Sequence, residues 1–479
     1  MWRRPAPTSW LDSCTDPRAS SISWARGLPD MPDTRSRRRP TQAKVPDPVS
    51  FGSVRPDNTT FALVSFEGPD RYSNAGGLGT RMQELARALA GLGFETHLYF
   101  VGDPDLPAVE TDLEGRLTLH RWCQWISREH PSGVYDGETG KIRDFTRSLP
   151  SALAEELVGP AREQGRRVAV LAEDWHTAWA TMDLSDLLHA RGLRGDATLL
   201  WNANNVFGCE RIPFPRLAYT STITAVSRFM KQRLWAYGVN PIVIPNGIPE
   251  RLLEPIMGDP QVVRSRFLCE SLLIKVARFD PDKRWLQAIH TVAQVKSAGV
   301  RPLLIARGGL EPHGRHVLQT AAELGLQVTD ALAPEGSLDA EGVAGYLAEV
   351  AAANGADVLN VRFRIPEATL RLLYAGADGV LANSGFEPFG LVGLEAMADR
   401  SLVFTGATGE EYARSYENAI CVETDDAKEI AAALAQLRAS PELEARLRAA
   451  GRATAEQYTW PRVIQGLCRR IENLVLWKW

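Results

Sequence analysis

Short apolar runs alternate with longer amphipathic segments from Thr60 onward, and this alternation occurs twice along the chain. Such runs predict buried strands, and the amphipathic segments predict helices, in the order typical of parallel α/β sheets. In the first half the predicted strands are Phe61–Phe66, Thr96–Phe100, Val168–Ala172, Leu199–Asn202, Ile223–Ala225 and Ile242–Ile244. In the second half they are Leu272–Val276, Pro302–Ala306, Val358–Val361, Gly379–Ala382, Leu402–Phe404 and Ala419–Val422.

The repeat predicts two domains. A chain of 479 residues is too long for one core of ordinary size, because domains usually hold about 100–200 residues. The predicted fold class is α/β, with two Rossmann-like, doubly wound domains that face a central cleft. Their predicted bounds are residues 59–245 and 246–455, followed by a helix within 456–479. The stretch 307–357 is longer than one crossover needs and predicts two helices.

Composition limits the partners and the location of the protein. Net charge is −4 with both signs interspersed, so nucleic acid is not an expected partner. Residues 1–58 are rich in Arg and Pro without a periodic apolar face, and they predict a disordered tail. Six widely spaced cysteines favour a reduced, cytoplasmic protein. No apolar stretch reaches the roughly 18–20 residues that span a bilayer, which leaves only peripheral contact with a membrane.

One late turn carries the strongest indication of chemistry. The apolar run Asp378–Ala382 predicts a strand, and apolar residues at helical spacing follow from Gly390 onward. The turn between them therefore exposes backbone N–H groups at a helix N-terminus, where anions bind. Glu387 and Glu395 lie eight positions apart around this turn. On spacing alone they also fit a first-turn acid and a solvated acid on a helix face.

This turn resembles the E-x7-E signature of retaining glycosyltransferases with the GT-B fold, and its words FEPFGL and GLEAM are similar to those of glycogen synthases and family 4 glycosyltransferases. The resemblance implies that Glu395 bonds the nucleotide ribose and that Glu387 contacts hydroxyls of the donor sugar. It also implies that the amides of Phe389, Gly390 and Leu391 approach the sugar and the diphosphate.

A second motif places two cations after the first strand of the second half. Arg278 and Lys283 stand five residues apart, and together they suit the negative charge that develops on a departing diphosphate. Their spacing also matches the Arg-x4-Lys pattern of the same family, which assigns them to the diphosphate. The neighbouring Lys275 and Arg284 are predicted to be solvated surface residues.

In the first half, Gly76, Gly77 and Gly79 follow the first strand and open the first helix, so the backbone there can approach a ligand closely. The loop resembles the GGLG loop of glycogen synthase-like enzymes. Asn74 stands where bacterial and plant members have lysine, which favours the broader family 4 over that group. A dinucleotide site with Asp103 as the ribose-binding acid is the competing interpretation.

Glu173 to Ala178 resembles the HDWHT/A word of the family, which implies that His176 contacts the donor sugar. A buried core histidine is the alternative, although the carboxyl end of a strand faces the ligand crevice in such folds. Glu67, Asn204 and Asn205 are weaker candidates, and both asparagines also fit turn caps.

Taken as a whole, the resemblance implies an enzyme that transfers a hexosyl unit from a UDP-, ADP- or GDP-linked sugar to a carbohydrate or small-molecule acceptor, with retention of configuration. It implies no cofactor and no metal ion. The first domain would be acceptor-side, the second would bind the donor, and the last helix would cross back to the first.

Several alternatives remain open at the level of sequence. An α-glucan or glycogen synthase-like glucosyltransferase is favoured over a mannosyl- or hexosyltransferase that acts on a lipid or small molecule. A glycoside phosphorylase lacks a supporting lysine motif. An inactive GT-B scaffold and a nicotinamide-dependent oxidoreductase represent other classes of function.

Overall fold

The computed structural model describes residues 53–406 and 409–476. Most of the predicted disordered tail lies outside the described residues. The strands are β1 Thr59–Val64, β2 Glu95–Val101, β3 Val109–Asp112, β4 Leu117–Trp122, β5 Arg167–Glu173, β6 Ala197–Ala203, β7 Thr222–Ala225, β8 Ile242–Val243, β9 Ser271–Val276, β10 Pro302–Arg307, β11 Val328–Ala331, β12 Val358–Val361, β13 Gly379–Ala382, β14 Val403–Thr405 and β15 Ile420–Cys421.

The α-helices are α1 Gly77–Gly91, α2 Gln124–Glu129, α3 Glu138–Ala152, α4 Gly159–Glu163, α5 Trp175–Ala190, α6 Phe214–Thr220, α7 Arg228–Leu234, α8 Pro260–Arg266, α9 Trp285–Ser297, α10 His313–Glu323, α11 Ala340–Ala353, α12 Glu367–Gly376, α13 Leu391–Ala398, α14 Ala427–Ala439, α15 Pro441–Ala455 and α16 Trp460–Leu476. A π-helical segment, Leu153–Val158, joins α3 to α4.

The strands form two separate sheets. The first has the order β3-β4-β2-β1-β5-β6-β7-β8, and the second has the order β11-β12-β10-β9-β13-β14-β15. All pairings are parallel except that of β3 with β4. Central strands such as β1 are buried along their whole length, as expected where helices cover both faces of a sheet. The predicted α/β fold class with two doubly wound domains is confirmed.

Two edge strands depart from the sequence prediction. The stretch 307–357 was expected to hold two helices, and it contains α10 and α11 with the strand β11 between them. In the first sheet, the edge strand β3 pairs antiparallel with β4, and neither of these two strands was predicted. Both β3 and β11 are partly or largely exposed, so they lack the apolar run by which buried strands are found.

The chain passes between the domains twice, and the two passages touch. The amide of Ile248 donates to the carbonyl of Tyr458 at 2.8 Å, and the amide of Trp460 donates to the carbonyl of Ile248 at 3.0 Å. After this crossing, α16 packs into the apolar cluster of the first domain through Trp460, Ile464 and Leu467. The helix thus lies against the first domain, while the domain bounds drawn from the sequence stay predictions.

Candidate functional site

The turn between β13 and α13 is shaped by Gly390. This residue has a φ of 82°, a left-handed conformation that favours glycine, and the hydroxyl of Tyr412 donates to its carbonyl. The helix then begins at Leu391. Because the first amides of a helix have no intrahelical acceptor, the N-terminus of α13 offers N–H donors and a positive dipole end to an anion.

The structure brings Lys283 and Glu387 together. The Nζ atom of Lys283 lies 3.3 Å from Oε1 of Glu387, and the two side chains are 17% and 24% exposed. The loops that carry them are joined directly, since the amide of Gly385 donates to the carbonyl of Asp282 at 2.8 Å. A cation and a carboxylate are therefore held side by side at the start of α13, where both remain reachable from solvent.

Glu395 lies half-buried within α13. Burial raises the pKa of its carboxyl to about 7, and the nearby Glu367 and Asp399 carboxylates add to this rise, while Arg251 opposes it. Among residues 53–406 and 409–476, the Glu395 carboxylate has no hydrogen-bond partner. A half-buried carboxyl without a partner is suited to hydroxyl groups of a ligand, because a bound hydroxyl would satisfy it.

Arg278 is more exposed than Lys283. Its side chain is 66% exposed and pairs with Asp280 at 3.1 Å. The backbone beneath it is fixed, since the indole Nε1 of Trp285 donates to the Arg278 carbonyl at 2.8 Å. The guanidinium can therefore move toward a ligand while the loop that carries it stays in place.

The prediction of solvated Lys275 and Arg284 is wrong. Lys275 is fully buried, and its Nζ atom donates to the Leu381 carbonyl at 3.0 Å and to the side-chain oxygen of Asn383. Burial lowers the pKa of this lysine to about 7. Arg284 is only 17% exposed and bonds Asp425 at 2.7 Å. Both residues turn inward because acceptors from distant parts of the chain meet them there.

In the first domain, the glycine loop closes on a carboxylate. Oε2 of Glu67 accepts hydrogen bonds from the amides of Gly76 and Gly79, each at 3.1 Å. A Cβ atom on Gly79 would lie 2.8 Å from the carbonyl of Gly68, so this position requires glycine, whereas Gly76 and Gly77 face open space. Glu67 thus fixes the backbone at the start of α1. The space beside Gly76 and Gly77 is open and can admit a ligand.

His176 is buried near that loop. Its ring stacks on Phe66 at 4.2 Å between centroids, and its Nε2 atom lies 3.0 Å from Oε1 of Glu138. Burial lowers the pKa of this imidazole to about 4, despite the opposing effect of Glu138. The ring is therefore neutral at physiological pH. Its Nδ1 atom is buried without a hydrogen-bond partner among the described residues.

Glu173 and Asp174, which precede His176 at the end of β5, accept hydrogen bonds from several neighbouring residues. Glu173 bonds Arg81 at 3.1 Å and Asn202 at 2.8 Å, and Asn204 also donates to it. Asp174 accepts from the amide of Asn204 at 2.7 Å and from the side chain of Asn205 at 2.8 Å. Both asparagines therefore serve the local structure, as turn partners of buried acids.

Two residues near the site were missed by the sequence analysis. The hydroxyl of Tyr135 donates to Oε1 of Glu67 at 2.5 Å, and Glu138 is the partner of His176. Both lie after α2, in a stretch without a family word or an apolar period. No signal in the sequence alone connects them to the glycine loop or to His176.

The two domains touch beside the E-x7-E turn. The Ser227 hydroxyl, which caps α7, donates to the carbonyl of Pro388, and the amide of Arg228 donates to Oε2 of Glu411 at 2.8 Å. The rings of Phe229 and Phe386 meet edge to face at 5.3 Å. The E-x7-E turn is therefore supported by the first domain as well as by its own.

The described residues hold no candidate metal centre and no candidate membrane-spanning helix. In residues 53–406 and 409–476, no group of three or more His, Cys, Asp and Glu side chains is arranged to hold a metal ion. Within the same residues, no helix has the length and apolar character needed to cross a membrane.

Each half of the chain matches a glycosyltransferase family model. The model described as Glycosyltransferase Family 4 matches residues 75–251, and the model described as Glycosyl transferases group 1 matches residues 266–454. A glycogen synthase of Bordetella petrii is 28% identical in an alignment of 400 residues, and the match covers 68% of this chain and 73% of that protein.

Solved structures share the fold. Sucrose-phosphate synthase from Thermosynechococcus elongatus has a TM-score of 0.64 at 18% identity, covering 88% of this chain and 100% of that one. The catalytic domain of Arabidopsis thaliana starch synthase IV, bound to ADP and acarbose, has a TM-score of 0.59 at 15% identity, covering 87% and 98%. Anabaena HepE, in complex with UDP, has a TM-score of 0.56 at 14% identity, covering 86% and 100%.

The family matches enclose the motifs at the candidate site. The glycine loop and His176 lie in the first match, and the Arg278/Lys283 loop and the E-x7-E turn lie in the second. This evidence favours sugar transfer over the dinucleotide-dependent oxidoreductase considered from the sequence. The chain is a glycosyltransferase of the group 1 and family 4 kind, with the GT-B fold.

Proposed function

We propose that the protein transfers a hexosyl unit from a nucleoside-diphosphate sugar to an acceptor hydroxyl, with retention of the anomeric configuration. The observation that carries this proposal is the pairing of Lys283 with Glu387 at the N-terminus of α13. A cation and free amides suit the diphosphate, and a carboxylate suits the hydroxyls of the sugar. The unpartnered Glu395, further along the same helix, suits the ribose.

In the proposed reaction, the acceptor oxygen attacks the anomeric carbon on the face from which the diphosphate leaves. The bond from the anomeric carbon to the phosphate oxygen breaks, the bond to the acceptor oxygen forms, and a donor phosphate oxygen takes the acceptor's proton. Arg278, Lys283 and the start of α13 stabilise the charge that develops on the leaving group. These groups do the work for which other transferases use a metal ion, so the proposal includes neither a metal nor a cofactor.

His176 has a supporting part in this scheme. Because its pKa is lowered to about 4 by burial, the imidazole stays neutral and serves as a hydrogen-bonding wall of the cleft.

The donor we favour is a glucose nucleotide. The similarity to a glycogen synthase of Bordetella petrii and the shared fold of ADP-bound starch synthase IV support a glucan synthase-like glucosyltransferase. Anabaena HepE, with the same fold, binds UDP. The base of the nucleotide therefore needs direct measurement.

A thermal-shift panel tests this function. Purified protein is heated with UDP-, ADP- and GDP-sugars, with the free diphosphates, and with NAD(P). A ligand at a hundred times its Kd adds about 2.7 kcal/mol to the free energy of unfolding, so one nucleotide family is expected to raise Tm clearly. Stabilisation by NAD(P) alone would contradict the proposal, and no stabilisation by any nucleotide sugar would favour the inactive scaffold. An inverted anomer in the product, seen by NMR, would refute retention.

Donor binding is expected to weaken as the pH falls through 7. Since the Glu395 carboxyl has a pKa raised to about 7, it is ionised above this pH and accepts hydrogen bonds from ribose hydroxyls. Below it the carboxyl is protonated and accepts more weakly. Kd for the donor should rise by up to about tenfold for each pH unit below the pKa. Isothermal titration from pH 5.5 to about 8.5 measures this change.

The Glu395→Gln variant should bind the donor more weakly and lose this pH dependence. Glu349→Gln alters an exposed glutamate of α11 and should keep the wild-type profile. An unchanged slope in Glu395→Gln would show that another group titrates.

A further inference from the structure

A cavity of about 730 Å³ opens at the carboxyl edge of the first sheet. Residues from 71–75, 103–105 and 131–136 line it, and its size lies in the range of about 300–1,000 Å³ that is typical of small-molecule sites. Tyr135 belongs to its wall, yet the ring of Tyr135 is also 5.7 Å from that of His176. The cavity therefore lies beside His176, on the side of the first domain.

The walls of this cavity are held in place. The buried Nζ atom of Lys141 donates to the Tyr72 hydroxyl at 2.6 Å, and to the carbonyls of Gly133 and Val134 at 3.1 Å each. The hydroxyl of Tyr72 in turn donates to the carbonyl of His130 at 2.7 Å. These bonds fix the loop 131–136 against Tyr72, so the cavity is formed before any ligand binds.

The charge on the lining is negative. The lining includes three acidic residues, Asp103, Asp105 and Asp136, and one basic residue, Arg71. The nearby Arg121 is buried and bonds Asp70 through two contacts at 2.9 and 3.0 Å. Lys141 is likewise occupied by the bonds described above, so neither of these two cations is available to a phosphate group.

Tyr135 adds a surface that suits a sugar. Its side chain is 43% exposed, although its hydroxyl is bound to Glu67. The ring is thereby held in one orientation and presents an apolar face toward solvent. Sites that bind polyhydroxyl ligands need such a face together with acceptors for hydroxyl hydrogens, and carboxylates supply the acceptors.

We propose that this cavity binds the acceptor, and that the acceptor is a neutral saccharide without a phosphate group. This inference rests on the proposed function, because it names the second substrate of the same site. A sugar phosphate would place its dianion among three carboxylates, whereas the hydroxyls of a neutral sugar can donate to them. The cavity therefore selects by charge complementarity.

The test compares matched acceptors that differ only in phosphate. Glucose is paired with glucose 6-phosphate and fructose with fructose 6-phosphate, and maltose and maltotriose are added. Binding of each is measured by saturation-transfer NMR with the nucleoside diphosphate present, and turnover is measured as diphosphate release from the donor. We expect the neutral member of a pair to be preferred by about thirtyfold or more.

A charge variant makes the test specific. In Asp103→Asn/Asp105→Asn, both amides keep the shape of the carboxylates, and the preference for the neutral acceptor should fall by about fivefold or more. The control Asp183→Asn/Asp186→Asn removes two carboxylates from α5 that pair with Arg216. It should leave the preference unchanged.

Each outcome decides the inference. The inference is overturned if the protein uses the neutral and the phosphorylated sugar of a pair equally, or prefers the phosphorylated one. It is also overturned if no neutral saccharide binds. An unchanged preference in the Asp103/Asp105 variant would overturn the assignment to this cavity. Failure of the proposed function is seen separately, since the donor panel would then show no nucleotide-sugar binding.

Discussion

Replacing Lys283 with alanine is expected to lower kcat by about 10²–10³-fold, because electrostatic groups aimed at developing charge contribute on this scale. The ammonium group lies beside Glu387 and only 17% of the side chain is exposed, so water replaces it poorly. Negative charge on the diphosphate grows toward the transition state. The loss should therefore fall mainly on kcat, with a smaller rise in KM for the donor.

Steady-state kinetics with saturating acceptor and varied donor measure both constants. Lys428→Ala removes an exposed lysine at the start of α14 and should leave both unchanged. A rise in KM alone would mean that Lys283 binds the donor equally in the ground state and the transition state. Equal, small effects from Lys283→Ala and Glu395→Ala would refute both assigned roles.

Replacing Arg81 with methionine is expected to destabilise the protein by about 3–5 kcal/mol, the usual cost of breaking a buried ion pair. Arg81 lies in α1 and bonds Glu173 at 3.1 Å, with 4% and 0% of the two side chains exposed. It also donates to Asn246 in the passage between the domains and lies over the ring of Trp460. Its loss leaves a buried carboxylate without a cation.

Urea unfolding followed by far-UV circular dichroism measures this change. Arg87→Met is the matched control on the same helix, since its pair with Asp112 is about half exposed on both sides and should cost about 0–1 kcal/mol. Adding Glu173→Gln to Arg81→Met should recover part of the loss, because the uncompensated charge is removed. If Arg81→Met lowers the free energy of unfolding no more than Arg87→Met does, the hydrogen bonds from Asn202 and Asn204 are enough to stabilise the buried Glu173 carboxylate.

The sequence predicted the central strands because they are buried on both faces. Strands such as β1 and β9 are therefore mostly apolar, and such short apolar segments predict buried strands. Of the missed strands, β3 and β11 lie at sheet edges and β4 lies next to β3, and in all three partial exposure removes that run. A buried strand can be recognised in the sequence by its apolar residues, whereas the backbone hydrogen bonds between strands have no such sequence pattern.

Individual side chains were harder to predict. Lys275 stands in a strand pattern beside a basic loop, and the sequence favoured a solvated position. In the fold, Asn383 and the Leu381 carbonyl accept from it, more than a hundred positions away in the chain. Tyr135 and Glu138 likewise gained their partners, Glu67 and His176, only through the packing of distant segments.

Local apolar patterns and turn residues encode the order of the central strands, the two-domain class and the position of each motif at a strand end. The contacts of Lys283 with Glu387, of Glu67 with the glycine loop, and of Arg81 with the passage between the domains appear only in the folded protein. Such contacts join residues far apart in the chain, and their energies depend on burial and on partners that no local pattern encodes.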